Sequence, residues 1–252
     1  MNIQPLLQTQ PPATSRLHPW LAIAPEFAAA LPAFGIRTQD DLFSHDAGAH
    51  KISWSENSVV WKIDSADADA GSIIYKRYFY TSTRYAGRLS RSTVECLNFL
   101  AWKRLGIPGP ETLAVGEIRR CGLLRQAVIV TRFIPGCITL AEYCRSPGFQ
   151  QDAARRGCVL EQAATLAGRA HAKGFFHRDL KLRNILVQHP GGAESPHVFW
   201  IDCPRGGFHR LDRRRLAKAD LADMGKLLYP AITEEERQHF LEAYARAKAA
   251  RA

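Results

Sequence analysis

The stretch His177-Arg178-Asp179-Leu180-Lys181-Leu182-Arg183-Asn184 constrains this chain more than any other. It sets an acid, a lysine and an amide at fixed spacing, and the apolar run Ile185-Leu186-Val187 follows directly. Transfer of a phosphoryl group asks for this set. A carboxylate orients the attacking hydroxyl and accepts its proton, a cation stands near the transferred group, and an amide oxygen ligates Mg²⁺. Asp179, Lys181 and Asn184 suit those roles in that order. His-Arg-Asp alone recurs by chance and also reads as a charged turn between a helix and a strand. The further fixed positions set this stretch apart.

The partners such a loop needs occur at suitable places. Lys76 lies inside a strand pattern, where a lysine can hold the α- and β-phosphates, and Glu95 opens the next helix, where it can hold the lysine. The plainer readings are an edge-strand charge for Lys76 and a capping box, Ser92-x-x-Glu95, for the glutamate. Downstream, Phe199-Trp200-Ile201-Asp202 ends an apolar run on an acid, a second Mg²⁺ ligand beside Asn184. Cys203-Pro204 follows, and the fixed φ of proline makes this loop stiff. Thr131 and Phe133 lie at the expected hinge between lobes, where adenine would be received. Together these positions form the catalytic pattern of protein-kinase-like enzymes. Two pieces of that pattern are weak. No glycine-rich loop precedes Lys76, leaving Ser53-Trp54-Ser55-Glu56-Asn57-Ser58 as the candidate turn over the phosphates. Only seventeen residues separate Asp202 from Asp220, with no Ala-Pro-Glu, which leaves little room for a peptide platform. Asp220 and Asp223 are both candidates to hold the catalytic loop from the following helix.

Hydrophobic period and turn residues give the organisation. Strands are expected at 51–54, 58–63, 71–78, 112–118, 126–134, 185–188 and 198–201. Helices are expected at 92–105, from 139, at 152–173, at 216–228 and from 233. Polar turns are expected at 64–71 and 189–196. Residues 1–19 are rich in Gln, Pro and Thr and are expected to lack order. Short helices broken by proline should follow up to about 43. The order implies an α+β, bilobal, protein-kinase-like fold. It has an N-terminal extension (1–45), a small β-rich N-lobe (46–135) and a reduced, mostly helical C-lobe (136–252).

The composition, 46% hydrophobic and 23% charged over 252 residues, suits a folded protein with a substantial core. A net charge of +10 suits an anionic partner without choosing one. Basic clusters occur at Arg84/Arg88/Arg91, Arg119-Arg120 and Arg213-Arg214-Arg215, each most simply a solvated face. The first of these is a candidate contact for a phosphorylated glycan or for anionic membrane headgroups. No nucleic-acid motif accompanies the charge. The six cysteines form no metal or disulfide pattern, and no signal or membrane span is evident, so a cytoplasmic location is expected.

From residue 72 to 230 the chain resembles the lipopolysaccharide kinase family, in particular the core heptose kinases. The residues that carry this are Tyr75-Lys76-Arg77, Glu95 with Arg104-Leu105-Gly106-Ile107-Pro108, Ile138-Thr139-Leu140-Ala141-Glu142-Tyr143-Cys144, His171-Ala172-Lys173-Gly174, His177-Arg178-Asp179 and Ile201-Asp202. The resemblance implies an enzyme at the inner-membrane face that uses ATP and Mg²⁺ to phosphorylate a sugar hydroxyl, heptose or Kdo, of the lipopolysaccharide inner core. Two other readings stand beside it: a small atypical Ser/Thr/Tyr protein kinase, and a nucleotide-binding regulatory pseudokinase.

Overall fold

The computed structural model describes residues 1–44, 50–67, 70–189 and 194–250; the predicted turns at 64–71 and 189–196 fall partly outside them. The chain divides into two compact units, Met1–Leu100 with Pro110–Phe133, and Ala101–Gly109 with Ile134–Ala252.

The first unit is built on a seven-stranded sheet. Its strands are β1 (Asn2–Pro5), β2 (Trp20–Ile23), β3 (His50–Ser55), β4 (Ser58–Asp64), β5 (Ser72–Phe79), β6 (Thr112–Arg120) and β7 (Leu123–Arg132). They lie in the order β1-β2-β6-β7-β5-β4-β3. The β1–β2 pair is parallel, and every other neighbouring pair is antiparallel. Alternation along β4 and β5 sends Val59, Trp61, Ile63, Ile73 and Tyr75 into a core shared with Phe27, Phe34, Leu42 and Phe43. Those last residues come from α1 (Pro25–Ala30), α2 (Asp41–Ser44) and the turns beside them. The helix α3 (Arg91–Leu105) follows β5, and its residues from Ala101 onward belong to the second unit.

Two expectations are corrected here. Residues 1–19, expected to lack order, contain β1. The segment from Trp20, expected to be helical, opens with β2, all four of whose residues are buried. A short apolar run fits either a buried strand or a buried helical turn, and its pairing with β6, almost a hundred residues away, decides it. Arg119 is a third correction. It is buried rather than solvated, donating to Glu117 Oε2 from Nε (2.9 Å) and Nη2 (2.6 Å). Glu117 Oε1 in turn accepts from Ser90 N at 2.9 Å and from the Thr93 hydroxyl, which ties β6 to the start of α3.

The second unit is mostly helical: α4 (Leu140–Tyr143), α5 (Pro147–Gln151), α6 (Ala153–Ala172), α7 (Arg213–Leu228) and α8 (Glu234–Ala249). Its strands are short. β8 (Cys137–Thr139), β10 (Ile185–Gln188) and β11 (His197–Trp200) form one sheet with β10 central, while β9 (Phe175–Phe176) pairs with β12 (Gly207–Phe208). Both predicted Thr-x-x-Glu boxes form, Thr139 with Glu142 at α4 and Thr233 with Glu236 at α8. No helix among the described residues is long and apolar enough to cross a membrane.

The close packing of α6 on α8 depends on Gly168. A Cβ there would lie 2.5 Å from Tyr244 O, 2.8 Å from Ala247 Cβ and 3.1 Å from Lys248 N. Backbone cannot give way as a flexible side chain can. Gly168→Ala should therefore destabilise the protein by about 1–3 kcal/mol despite the better helix propensity of alanine, as measured by urea unfolding.

Candidate active site

In the first unit, Lys76 sits at the middle of β5, paired with Val60 of β4 and Ile129 of β7. Its ammonium lies 3.3 Å from Glu95 Oε1 and 3.2 Å from Oε2, and both side chains are largely buried. The Tyr78 hydroxyl donates to Glu95 Oε2 at 3.0 Å. The capping-box reading of Glu95 does not hold in the structure. Ser90 caps α3, its Oγ accepting from Thr93 N at 3.1 Å, and Glu95, a turn further on, faces Lys76. At the end of β7, Thr131 is buried and pairs with Ile74. The Phe133 amide donates to Ser72 O at 3.0 Å, so what Phe133 can offer a ligand is its ring or its carbonyl, not its N–H. The candidate phosphate-covering turn is the β3–β4 hairpin. Its residues Ser53, Trp54, Ser55, Glu56 and Asn57 are exposed, and a bulge lies between Lys51 and Ser53.

In the second unit, the loop after β9 carries Asp179 between two cations. Lys181 Nζ lies 2.5 Å from Asp179 Oδ1, and Arg205 Nη2 lies 3.1 Å from Oδ2. Burial pushes the Asp179 carboxyl up. The hydrogen bond and charge of Lys181, with those of Arg205, outweigh it and hold the carboxyl below its ordinary value. The loop is fastened beneath. His177 is buried, stacks on Trp102 with ring centroids 5.6 Å apart, and bonds through Nε2 to Ile201 O at 3.1 Å. Burial pushes the imidazole pKa down, and because Ile201 presents a carbonyl oxygen, Nε2 is the donor. Arg178 takes φ of 63°, a left-handed conformation rare for a long side chain. It is held there by Asp220 of α7, whose Oδ1 accepts from Arg178 N (2.8 Å) and whose Oδ2 accepts from His177 N (2.9 Å). Of the two candidates for this task Asp220 does it. Asp223 pairs with Lys226 instead.

The β10–β11 hairpin brings Asn184 and Asp202 to the same end. Ile185 lies opposite Trp200, and Ile201 N donates to Asn184 O at 3.0 Å. Asn184 Nδ2 donates to Asp179 O at 2.8 Å, so the atom it could offer a cation is Oδ1, a hard, neutral oxygen. With the Asp202 carboxylate this donor set fits Mg²⁺, which keeps several waters and takes only one or two protein oxygens when phosphates supply the rest. Among the described residues no group of three His, Cys, Asp or Glu side chains is placed to hold a metal. Asp202, like Arg178, has positive φ (58°). Gly206 keeps the next turn tight, since a Cβ there would lie 2.9 Å from Phe176 O and 3.1 Å from His177 O.

Residues 74–244 match the lipopolysaccharide kinase (Kdo/WaaP) family. The chain belongs to this family. Membership places it among phosphotransferases with an alcohol acceptor, and the family implies ATP as donor. A solved structure of WaaP in complex with acyl carrier protein is similar over 90% of this chain and 88% of its own, with a TM-score of 0.67 and 16% identity. That likeness speaks to the fold, a kinase-like α+β arrangement with a β-rich N-terminal part and a helical C-terminal part. A casein kinase 1-like protein, HD16, of Oryza sativa subsp. japonica is 33% identical over 64 residues, 25% of this chain. The match spans only 9% of that relative's length.

Sequence reasoning missed two residues of this candidate site. Arg205 belongs to no motif; only its closeness to Asp202 hints at a place beside Asp179. Tyr78 is two residues past Lys76, hence on the same face of β5, and that period of two is the signal that was there to be read.

Proposed function

We propose that this chain transfers the γ-phosphoryl group of ATP to a sugar hydroxyl, heptose or Kdo, of the lipopolysaccharide inner core, in the cytoplasm and at the membrane face. The observation that carries this reading is Asp179 between Lys181 and Arg205, one hairpin end away from Asn184 and Asp202. Asp179 orients the acceptor hydroxyl and takes its proton. Lys181 exchanges its bond to Asp179 for the charge gathering on the transferred group. Lys76, held by Glu95, positions the phosphates, and Thr131 and Phe133 border the adenine. Asn184 and Asp202 offer oxygens to Mg²⁺, which supplies neutralisation of charge on the β- and γ-phosphate oxygens. A glycan rather than a peptide acceptor is supported by the short run between Asp202 and α7, which is tied down by β12–β9 pairing.

The test is mass spectrometry of core glycolipid incubated with the purified protein, ATP and Mg²⁺. One added phosphate, lost with EDTA, is expected. Phosphate found on protein substrates and absent from glycolipid would select the protein-kinase reading, and tight ATP binding without transfer the regulatory one. Within this reading Glu95→Gln should lower kcat/KM for ATP by roughly tenfold or more, because it removes the charge partner of a largely buried lysine. Tyr78→Phe should cost a smaller factor. Steady-state kinetics at varied ATP measures both.

A further inference from the structure

The segment from Arg205 to the first turns of α7 combines two features that solvation alone does not favour. It exposes two large apolar side chains, Phe208 at 60% and Leu211 at 81%. Around them stand the exposed Arg210, Arg214, Arg215 and Lys218, with Asp212 the acid among them, paired to Arg215 at 3.3 Å. The segment is held in place. Phe208 pairs with Phe175 across β12–β9 and sets its ring edge-on to the Phe175 ring at 5.3 Å, and His209 N donates to Gly174 O at 2.8 Å. It begins at Arg205, the partner of Asp179.

We propose that this segment is the surface on which the protein seats on an anionic phospholipid leaflet, with Phe208 and Leu211 entering the boundary between headgroups and acyl chains while the basic residues lie among the phosphates. Amphipathic surfaces of this kind bind by buried apolar area plus attraction to anionic lipid. The earlier candidate, Arg84, Arg88 and Arg91, lacks the first half. No large apolar side chain from 80 to 100 is exposed, and Arg84 and Arg91 turn to the Tyr85 hydroxyl. A nucleic acid would use the arginines and leave Phe208 and Leu211 with nothing to bury. The inference rests on the glycolipid reading above, for a surface fastened to Asp179 through Arg205 presents the base toward the leaflet that holds the acceptor.

Co-sedimentation with phosphatidylcholine vesicles, with and without phosphatidylglycerol, tests it. The unaltered protein should sediment with the anionic vesicles only. R210A/R214A should weaken binding by roughly 25-fold, about fivefold for each arginine, and F208S/L211S by about tenfold or more. All four residues are exposed, and ATP-dependent phosphorylation of delipidated core oligosaccharide should be unchanged in R210A/R214A. The proposal is overturned if both variants sediment like the parent or if neutral vesicles bind equally. It is also overturned if duplex DNA binds where vesicles do not, with R210A/R214A alone weakening it. Failure to phosphorylate the soluble oligosaccharide, with vesicle binding intact, would instead reject the glycolipid-kinase reading.

Discussion

Asp179→Asn is expected to lower kcat by about two to four orders of magnitude, the range for removing a positioned general base. It should leave KM for ATP and the melting temperature nearly unchanged. Asparagine keeps the size of the side chain and still accepts a hydrogen bond from Lys181 or Arg205. Both cations are partly exposed, 38% and 56% for their side chains, so losing a full charge partner costs little stability. What asparagine cannot do is take a proton. The same two cations set the pH behaviour. They hold the Asp179 carboxyl below its ordinary value, so acidification protonates the base at a lower pH than it would an unpaired carboxylate. Arg205→Ala removes one of them, and the acidic limb of the rate profile should move upward. Sugar phosphorylation by Asp179→Asn at the parental rate would remove Asp179 from the mechanism.

The candidate site was legible where its residues are set by local spacing. Asp179, Lys181 and Asn184 lie within one loop, and a hairpin returns the chain to Asp202 however long its tip, because register is set at the strand ends. Lys76 and Glu95 each admitted a plainer reading. The Ser92-x-x-Glu95 match was a true local pattern defeated by a better cap two residues earlier, where Ser90 joins Thr93 and Glu117. What sequence did not disclose depends on contacts between distant segments. β2 is a strand because β6 lies beside it. Arg119 is buried because Glu117 shares its strand face and Ser90 and Thr93 complete the carboxylate's partners. Arg205 sits in a loop with no period, and only the folded turn around Gly206 brings it to Asp179. The choice between Asp220 and Asp223 was likewise tertiary: the two lie a turn apart on one side of α7, and only the fully buried Asp220 meets the loop.

Asp220→Ala should be strongly destabilising, by about 3–5 kcal/mol, as when one partner of a buried charged network is removed. The carboxylate is fully buried and accepts from two backbone amides, His177 N and Arg178 N, while His171 Nε2 lies 3.3 Å away. Alanine leaves those amides without their acceptor, and each buried orphan costs about 1–3 kcal/mol. A fall in melting temperature of roughly 10 °C is expected, from about 2–4 °C per kcal/mol at this chain length. Asp220→Asn should fall between, since the amide oxygen replaces one acceptor and the NH₂ group faces a donor. Activity should fall further than stability. The two lost bonds are those that hold Arg178 at positive φ, and Arg178 is the residue that turns the chain so that Asp179 meets Lys181 and Arg205. Measured well below the melting temperature, Asp220→Asn should therefore be folded and slow. Asp223→Ala, which removes only the pairing with the exposed Lys226, should change stability by no more than about 0.5 kcal/mol and leave the rate intact. If Asp220→Asn keeps the parental rate while losing stability, the carboxylate supports the fold alone and the loop holds its own geometry.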